Sequence, residues 1–508
     1  MTLVTGFDHL PGSLMSSHCI RRQPSRHATL IRLTVATVAV GVALACTSDK
    51  FIAPSGPKVS VCHTEGSVST IGEIFLSELP EHRRNGDYVA RLEVSRTAVA
   101  GDSIHFARIT DALAAARAGR LARNESETAA CRITIAVAPG TFTGSTAASA
   151  DPAAERFPLV IDVPNISVIG ALKMSVDGAG RATGTGEGSD VTTLTADPAL
   201  IVVGGSSQVG ASEELFIVNG HPTGSKGNGA LIEGFVLQNG RAPDATVTGG
   251  QGVLSMRVRD LVIRGNRFQG SFTEAIDLRA SSGLVDRNHF AGLGNACEVC
   301  LAGPGNYDAR NNRLIGPGGA PGFLIVPATL LPVPDVVEQY TLPSTSLVSA
   351  TVMNNEVRAH LSKPVGTGIR VGAVGIGAPN VAGTSKVTIS GNSSVGNTFG
   401  MIFDAAFPAA GSTLRGDMEI TASGNTISQS CQNDLLVSFT RHASGLGLVT
   451  PYPSYLKSST YSITSAGDLP LDKAWVAHPS GYGNTLILNG QTMPNGNNTA
   501  YAATRLCP

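Results

Sequence analysis

Charge is scarce in this chain. Asp, Glu, Lys and Arg make up 15% of 508 residues, against about 25% in an average protein. The formal net charge is −1, so no global field draws the chain to nucleic acid or to anionic lipid. Aromatic residues are few, and Trp475 is the one tryptophan. Beyond residue 45 no apolar run is long enough to span a bilayer. The phosphate loop, the His-Glu-x-x-His helix, the nucleophile elbow and the dinucleotide fingerprint are all missing, which removes the commonest nucleotide, zinc-protease and hydrolase chemistries. What the chain has instead is glycine, 59 residues of it, among many β-branched residues. That composition favours strands and turns over helices.

The N-terminus reads as an export signal. Arg21, Arg22, Arg26 and Arg32 precede the apolar run "LTVATVAVGVALA", residues 33–45. The run is too short to span comfortably and fits a signal-peptide core. It ends in "ALAC", which resembles the lipobox of bacterial lipoproteins. There, a small residue precedes a cysteine that is lipidated and becomes the mature N-terminus. Ala45 and Cys46 carry the likeness, while Ala43 stands where a Leu is usual. The resemblance implies a chain held at the cell envelope by a lipid on Cys46, with no other membrane contact; otherwise it is simply secreted. Residues 46–60 then read as a polar, Pro- and Gly-bearing tether.

Export also changes how the cysteines read. Cys62, Cys131, Cys297, Cys300, Cys431 and Cys507 form an even set in an oxidising compartment, which suggests disulfides of unknown pairing. Cys297-x-x-Cys300 has no second CxxC and no thioredoxin-like context, so a structural role is preferred to a redox or zinc motif. Residues 61–99 form a small module. Cys62, His63, His82 and Asp87 in it resemble a Cys-His, Leu-Pro-x-His, Gly-Asp segment of some secreted bacterial proteins. Such residue types can build a metal site. The simpler expectation is a disulfide cysteine with surface histidines.

Residues 106–119, "FARITDALAAARAG", carry apolar residues at helical spacing and are rich in Ala, with Gly119 as a stop. An apolar strand and Ala138-Pro139-Gly140-Thr141-Phe142 follow. This order resembles the opening of right-handed parallel β-helix proteins of the pectate-lyase type. The helix would then cap the open end of a coil stack.

The repeats support the same fold. "GVLSMRVRDLVIRGNRF" (252–268) aligns with "EAIDLRASSGLVDRNHF" (274–290) at an offset of 22 residues. Leu254 falls on Ile276, Met256 on Leu278, Asn266 on Asn288 and Phe268 on Phe290. Looser copies place Asn312, Asn355, Asn392 and Asn425 at the same offset from flanking apolar residues, and "LIEGFVLQNG" supplies Asn239. A period of 20–30 residues with short strands is a solenoid signature. Inward asparagines at the bends would bond backbone and one another from coil to coil, and Asn tolerates the left-handed backbone of tight bends. The expected fold is an all-β right-handed parallel β-helix over residues 100–440, with residues 441–508 as a C-terminal capping segment.

Parallel β-helix enzymes commonly act from outward residues of the first strand in each coil. The resemblance therefore points to Ser255, Arg257, Asp277, Arg279, Cys300 and Ala302, with Arg370 and Asp404 further along. Arg257 is expected above Arg279 with Asp277 beside them. These are the candidate catalytic residues: Asp277, Arg279 and Arg257. A lyase-like reaction needs carboxylates to hold Ca²⁺ against a uronate and a base to remove the neighbouring proton, which makes Ca²⁺ the candidate cofactor. The acid cluster of such calcium sites is missing, and so are the motifs of polygalacturonases and pectate lyases. Asp286, His289, Asp308 and Arg310 are expected to form surface pairs. Trp475 is expected in the core of the capping segment, with Tyr482 nearby. Two function classes remain: an exported protein that binds or cleaves acidic polysaccharide along its solenoid face, or a non-enzymatic adhesin or scaffold.

Overall fold

A strand cannot leave its backbone groups unpaired, and a chain that returns to the same place every 22 or more residues pairs each strand with its own earlier and later copies. The computed structural model shows this arrangement. It describes residues 56–65, 68–98, 103–123, 131–144, 154–186, 191–196, 215–219, 227–239, 251–270, 272–292, 297–316, 321–327, 345–359, 366–373, 382–404, 416–431, 433–438, 441–442, 449–450, 460–465, 474–478, 485–492 and 496–497. The leader, Cys46, the tether up to residue 55, Tyr482 and Cys507 lie outside these residues.

Three long sheets run the length of a right-handed parallel β-helix, with 11, 14 and 9 strands among the described residues. Through the middle of the stack each coil contributes one strand to each. In one coil Glu274–Arg279 lies in the 11-stranded sheet, Gly283–Asp286 in the 14-stranded sheet and His289–Gly292 in the 9-stranded sheet. Neighbouring rungs pair in parallel. The core is a continuous column of Val, Ile, Leu and Phe from all three sheets. Like stacks on like where the register allows, as with Phe268 and Phe290, whose rings lie 4.7 Å apart and nearly parallel.

The stack exceeds its expected bounds at both ends. Arg91–Val94 already belongs to the 14-stranded sheet, so the solenoid begins before residue 100. Before it, Lys58–Glu65, Val68–Phe75 and Tyr88–Val89 make a small antiparallel sheet. Past residue 440, Thr460–Ser465 and Thr485–Leu488 add two more parallel rungs to the 14-stranded sheet. The second of them, within residues 484–492, reads as a clear strand in the sequence and is followed by Asn489, whose Oδ1 accepts the Ser465 amide at 2.6 Å; the first, with no asparagine after it, does not.

The expected helix is Ile109–Arg123, and it packs on Leu159–Ile161, the terminal strand of the 11-stranded sheet, and on Arg91–Val94 and Ile133–Val137. Gly119 does not stop it. A Cβ there would come within 3.1 Å of the Tyr88 Cβ, so the glycine permits close approach, and Arg120 one residue on stacks over the Tyr88 ring. The helix N-terminus is satisfied from afar: Glu155, fully buried, accepts from the Ile109 and Thr110 amides at 2.6 and 3.1 Å and from the Thr110 hydroxyl at 2.8 Å. Helix starts leave such amides without intrahelical partners.

The asparagines at the bends form one internal ladder. Asn266, Asn288, Asn312, Asn355, Asn392 and Asn425 are all buried. From Asn266 to Asn392, each amide N–H and each Nδ2 donates to the Oδ1 of the next asparagine, as in Asn288 to Asn312 at 2.9 and 3.1 Å. Nδ2 also reaches the carbonyl of a strand residue in the preceding coil, such as Ile263 or Val285. The left-handed backbone falls one residue earlier, at Gly265, Arg287, Asn311, Asn354, Gly391 and Gly424, with φ between 51° and 64°. The bend therefore needs a residue that tolerates positive φ, followed by an inward Asn. Asn239 is not a rung: Phe235 occupies that place and ends the ladder, its N–H donating to Asn266 Oδ1.

A hairpin that the sequence did not announce, Met174–Val176 with Ala182–Gly186, lies on the outside of the 9-stranded sheet. Asp177 pairs with Arg313 at 2.7 Å, Asn354 donates to the Ala179 carbonyl, and Gly184 sits over the His289 ring. His289 is therefore buried rather than a surface residue. Asp286 is buried too, bonded by Asn311 at 2.8 Å and flanked by Arg287 and Arg310. Burial first, then Arg267 and Arg313, lower the His289 imidazole to about 4, while Glu356 opposes the shift. The folded state thus favours neutral His289. Its contribution is complete above pH 6.5 and is lost as pH falls towards 4, by about 3 kcal/mol. Replacing His289 with Gln should flatten the loss of stability between pH 6.5 and 4, measured by denaturation at several pH values. An unchanged slope would show that the ring is not held neutral.

Candidate functional site

The outer face of the 11-stranded sheet is where the sequence placed its candidates. Strand alternation sends Val253, Ile276, Leu278, Val299 and Leu301 into the core and their neighbours outward. The register corrects the expected alignment. In this sheet Leu254 pairs with Asp277 and Met256 with Arg279, an offset of 23, whereas the other two sheets keep 22. The corner after Met256 is one residue longer than the corner after Arg279, and it absorbs the difference. Ser255 consequently points inward, where its hydroxyl donates to Ser281 at 3.0 Å. Arg257 does not stack on Arg279. It lies beyond the strand in the left-handed bend, with φ at 56°, and its N–H donates to the Arg279 carbonyl.

Two outward rows remain. One runs Leu254, Asp277, Cys300, Leu324, Arg370, Ile402 and Leu436. The other contains Met256, Arg279, Ala302 and Val326, and further on Gly372 and Asp404. These rows are not a solvated surface. Every described side chain in them is buried, with Arg279 at 6% exposure and Asp404 at 0%. The face outside the core is covered, so the picture of charges bathing in water on an open sheet is wrong.

The charged members pair with each other. Arg279 Nε donates to Asp277 Oδ2 at 2.6 Å, and its Nη2 reaches the same oxygen. Three coils on, Arg370 grips Asp404 with both arms, Nε to Oδ1 at 3.0 Å and Nη2 to Oδ2 at 2.7 Å. At ~4.8 Å per rung, the two guanidiniums stand about 14 Å apart along the axis. Cys297 and Cys300 form a disulfide between them, beside Leu324 and Val326. Glu298 and Asp434 are also buried on this side of the sheet. Sequence reasoning missed both, although the alternation of "CEVCLA" and "NDLLVS" was the available signal. The converging acids of a calcium site are not found beside Arg279 among the described residues.

The outer face of the 14-stranded sheet is different. There Thr351, Thr388, Thr421 and Thr464 stack in one outward row, and Lys386 pairs with Glu419 at 3.2 Å. A shallow groove of about 410 Å³ is lined by Asp417, Glu419, Thr421, Thr460 and Ser462 among others. Its charged lining residues, Asp417 and Glu419, are both acidic. Asp308 and Arg310 lie on the same side as a 3.5 Å pair. Trp475 pairs with Leu436 in the 11-stranded sheet.

No protein-family model matches this chain, and no curated protein matches it. Among solved structures it is similar to DFA-IIIase from Arthrobacter chlorophenolicus, crystallised without its lid in complex with GF2. The identity is 13%, the match covers 79% of this chain and 94% of that one, and the TM-score is 0.37. A mutant of the same enzyme in complex with DFA-III matches at 13% identity over 79% and 95% of the two chains, with a TM-score of 0.33.

Proposed function

We propose that this chain is an exported carbohydrate-facing β-helix, anchored through a lipid on Cys46, that takes acidic glycans on the outer face of its 11-stranded sheet. One observation carries the reading: two guanidinium–carboxylate pairs are buried outside the core, on a face whose other side chains are mostly apolar, with Glu298 and Asp434 as further buried acids. Burying such a pair does little for stability, and well-packed apolar residues often do as well. Paired charge in a covered, mostly apolar setting fits a recognition site better than a prop. Arg279 and Arg370 have the planar donor fork that matches a uronate carboxylate, and Asp277 and Asp404 hold those forks in place. The ligand's carboxylate would exchange for the protein's own, with the face opening to admit it. Asp277, released from Arg279, is the group with the chemistry to accept a proton, so cleavage is read in the same assay.

The test is binding of polygalacturonate and of neutral dextran to the exported chain, with unsaturated product followed by ultraviolet absorbance. The double variant Asp277→Leu/Arg279→Met removes both charges at similar volume. It should keep the fold and lose at least about tenfold in affinity for the acidic polymer, the value of roughly 1.4 kcal/mol. Unchanged binding removes the site; no binding to any acidic glycan favours a rigid scaffold. In cells, Cys46→Ser should release the chain from membranes, and persistence there would contradict the anchor.

A further inference from the structure

The small antiparallel sheet before the solenoid brings three polar side chains together. Tyr88 pairs with Cys62 across two strands, which sets Asp87 beside His63. The short helix Leu79–Arg84 delivers His82, and the chain then turns back through Gly86, with φ at 87°, so that the Asp87 amide bonds the His82 carbonyl at 2.9 Å. The result is a clasp. His63 Nδ1 lies 3.0 Å from both Asp87 oxygens, and His82 Nδ1 lies 2.7 Å from Oδ2. Ligand atoms of all three residues lie within 4.8 Å of one another. The Asp87 carboxylate is 1% exposed, while the imidazoles are 51% and 32% exposed. The Cys62–Cys131 disulfide ties the His63 strand to the first coil.

We propose that His63, His82 and Asp87 form a binding site for a divalent transition-metal ion of the zinc type. Two imidazole nitrogens and one carboxylate are a borderline donor set that suits Zn²⁺, Co²⁺, Ni²⁺ or Cu²⁺; Ca²⁺ and Mg²⁺ demand more oxygens. Three protein ligands leave a coordination position for water or for a partner's donor. The site is preorganised by covalent and backbone constraints: the disulfide fixes one histidine, and the helix with its return turn fixes the other. Without metal, each Nδ1–H can donate to the shared carboxylate. With metal, each ring would carry its proton on Nε2, which the exposed rings can turn to water. The expected disulfide at Cys62 and the solvent-reaching histidines are both present; the convergence of both rings on one buried carboxylate is what the structure adds.

The test is titration of the tag-free exported chain, stripped by a chelator, with Zn²⁺ by calorimetry and with Co²⁺ by visible absorption. One equivalent should bind, and Co²⁺ should give the intense visible band of a four- or five-coordinate ion. His63→Ala, chosen because this ring is half exposed and its loss spares the fold, should weaken binding at least about tenfold, and Asp87→Asn should abolish it. Circular dichroism confirms folding of both variants. Absence of a stoichiometric event in the wild-type chain, or uptake that survives His63→Ala and His82→Ala alike, would overturn the site. Neither outcome touches the glycan reading, which rests on other residues.

Discussion

Asn312→Ala should cost about 4 kcal/mol and raise amide exchange in the adjoining bends about a thousandfold, at 1.4 kcal/mol per factor of ten. The size follows from how many partners depend on one side chain. Asn312 Oδ1 accepts the Asn288 amide at 2.9 Å and the Asn288 Nδ2 at 3.1 Å. Its own Nδ2 serves the Val285 carbonyl and Asn355 Oδ1, both at 2.9 Å. Alanine leaves several groups buried without their partners, each at about 1–3 kcal/mol, with partial relaxation reducing the sum. Hydrogen exchange is the proper readout because a long solenoid opens locally, so one global unfolding energy is poorly defined. Protection should fall most at Asn288, whose amide points at the missing oxygen. Exchange there at the wild-type rate would show that the ladder is ornamental.

Arg370→Ala should be the other severe change, at about 3–5 kcal/mol, because it strips the guanidinium from a buried carboxylate. Asp404 is 0% exposed and takes both arms of Arg370. The double variant Arg370→Met/Asp404→Leu should recover most of that loss, since it removes the charge pair whole. The comparison separates two ideas about this face. Recovery with loss of acidic-glycan binding means the pair is there for recognition. A double variant as unstable as the single one means the pair holds the coils together, and the recognition reading fails at these residues.

The fold was legible because the period is written in residues with one available role. An inward Asn after a residue that tolerates positive φ has few uses besides a bend, and six copies held their offset through loops of varying length. Phe268 on Phe290 and Asn266 on Asn288 could be aligned directly. The site was less legible, for a local reason. A gapless alignment cannot see a corner that differs by one residue, and a one-residue slip sends each side chain to the opposite face. That slip turned Ser255 inward and took Arg257 off the strand, while Asp277 and Arg279 kept their outward parity. Burial was invisible as well. Alternation tells which side of a sheet a residue takes; it does not tell whether that side is covered. The hairpin over His289 depends on a contact between segments far apart in sequence, for which no periodic pattern exists; the clasp on Asp87 is local, and its residues could be named from the sequence although their convergence could not.

The most direct measurement is a crystal structure of the exported chain soaked with an oligogalacturonate. Sugar carboxylates should contact the Arg279 or Arg370 guanidinium, on the outer face of the 11-stranded sheet, with the Asp277 or Asp404 pairing broken. Ligand seated instead in the Thr-lined groove of the 14-stranded sheet, with both ion pairs intact, would contradict it.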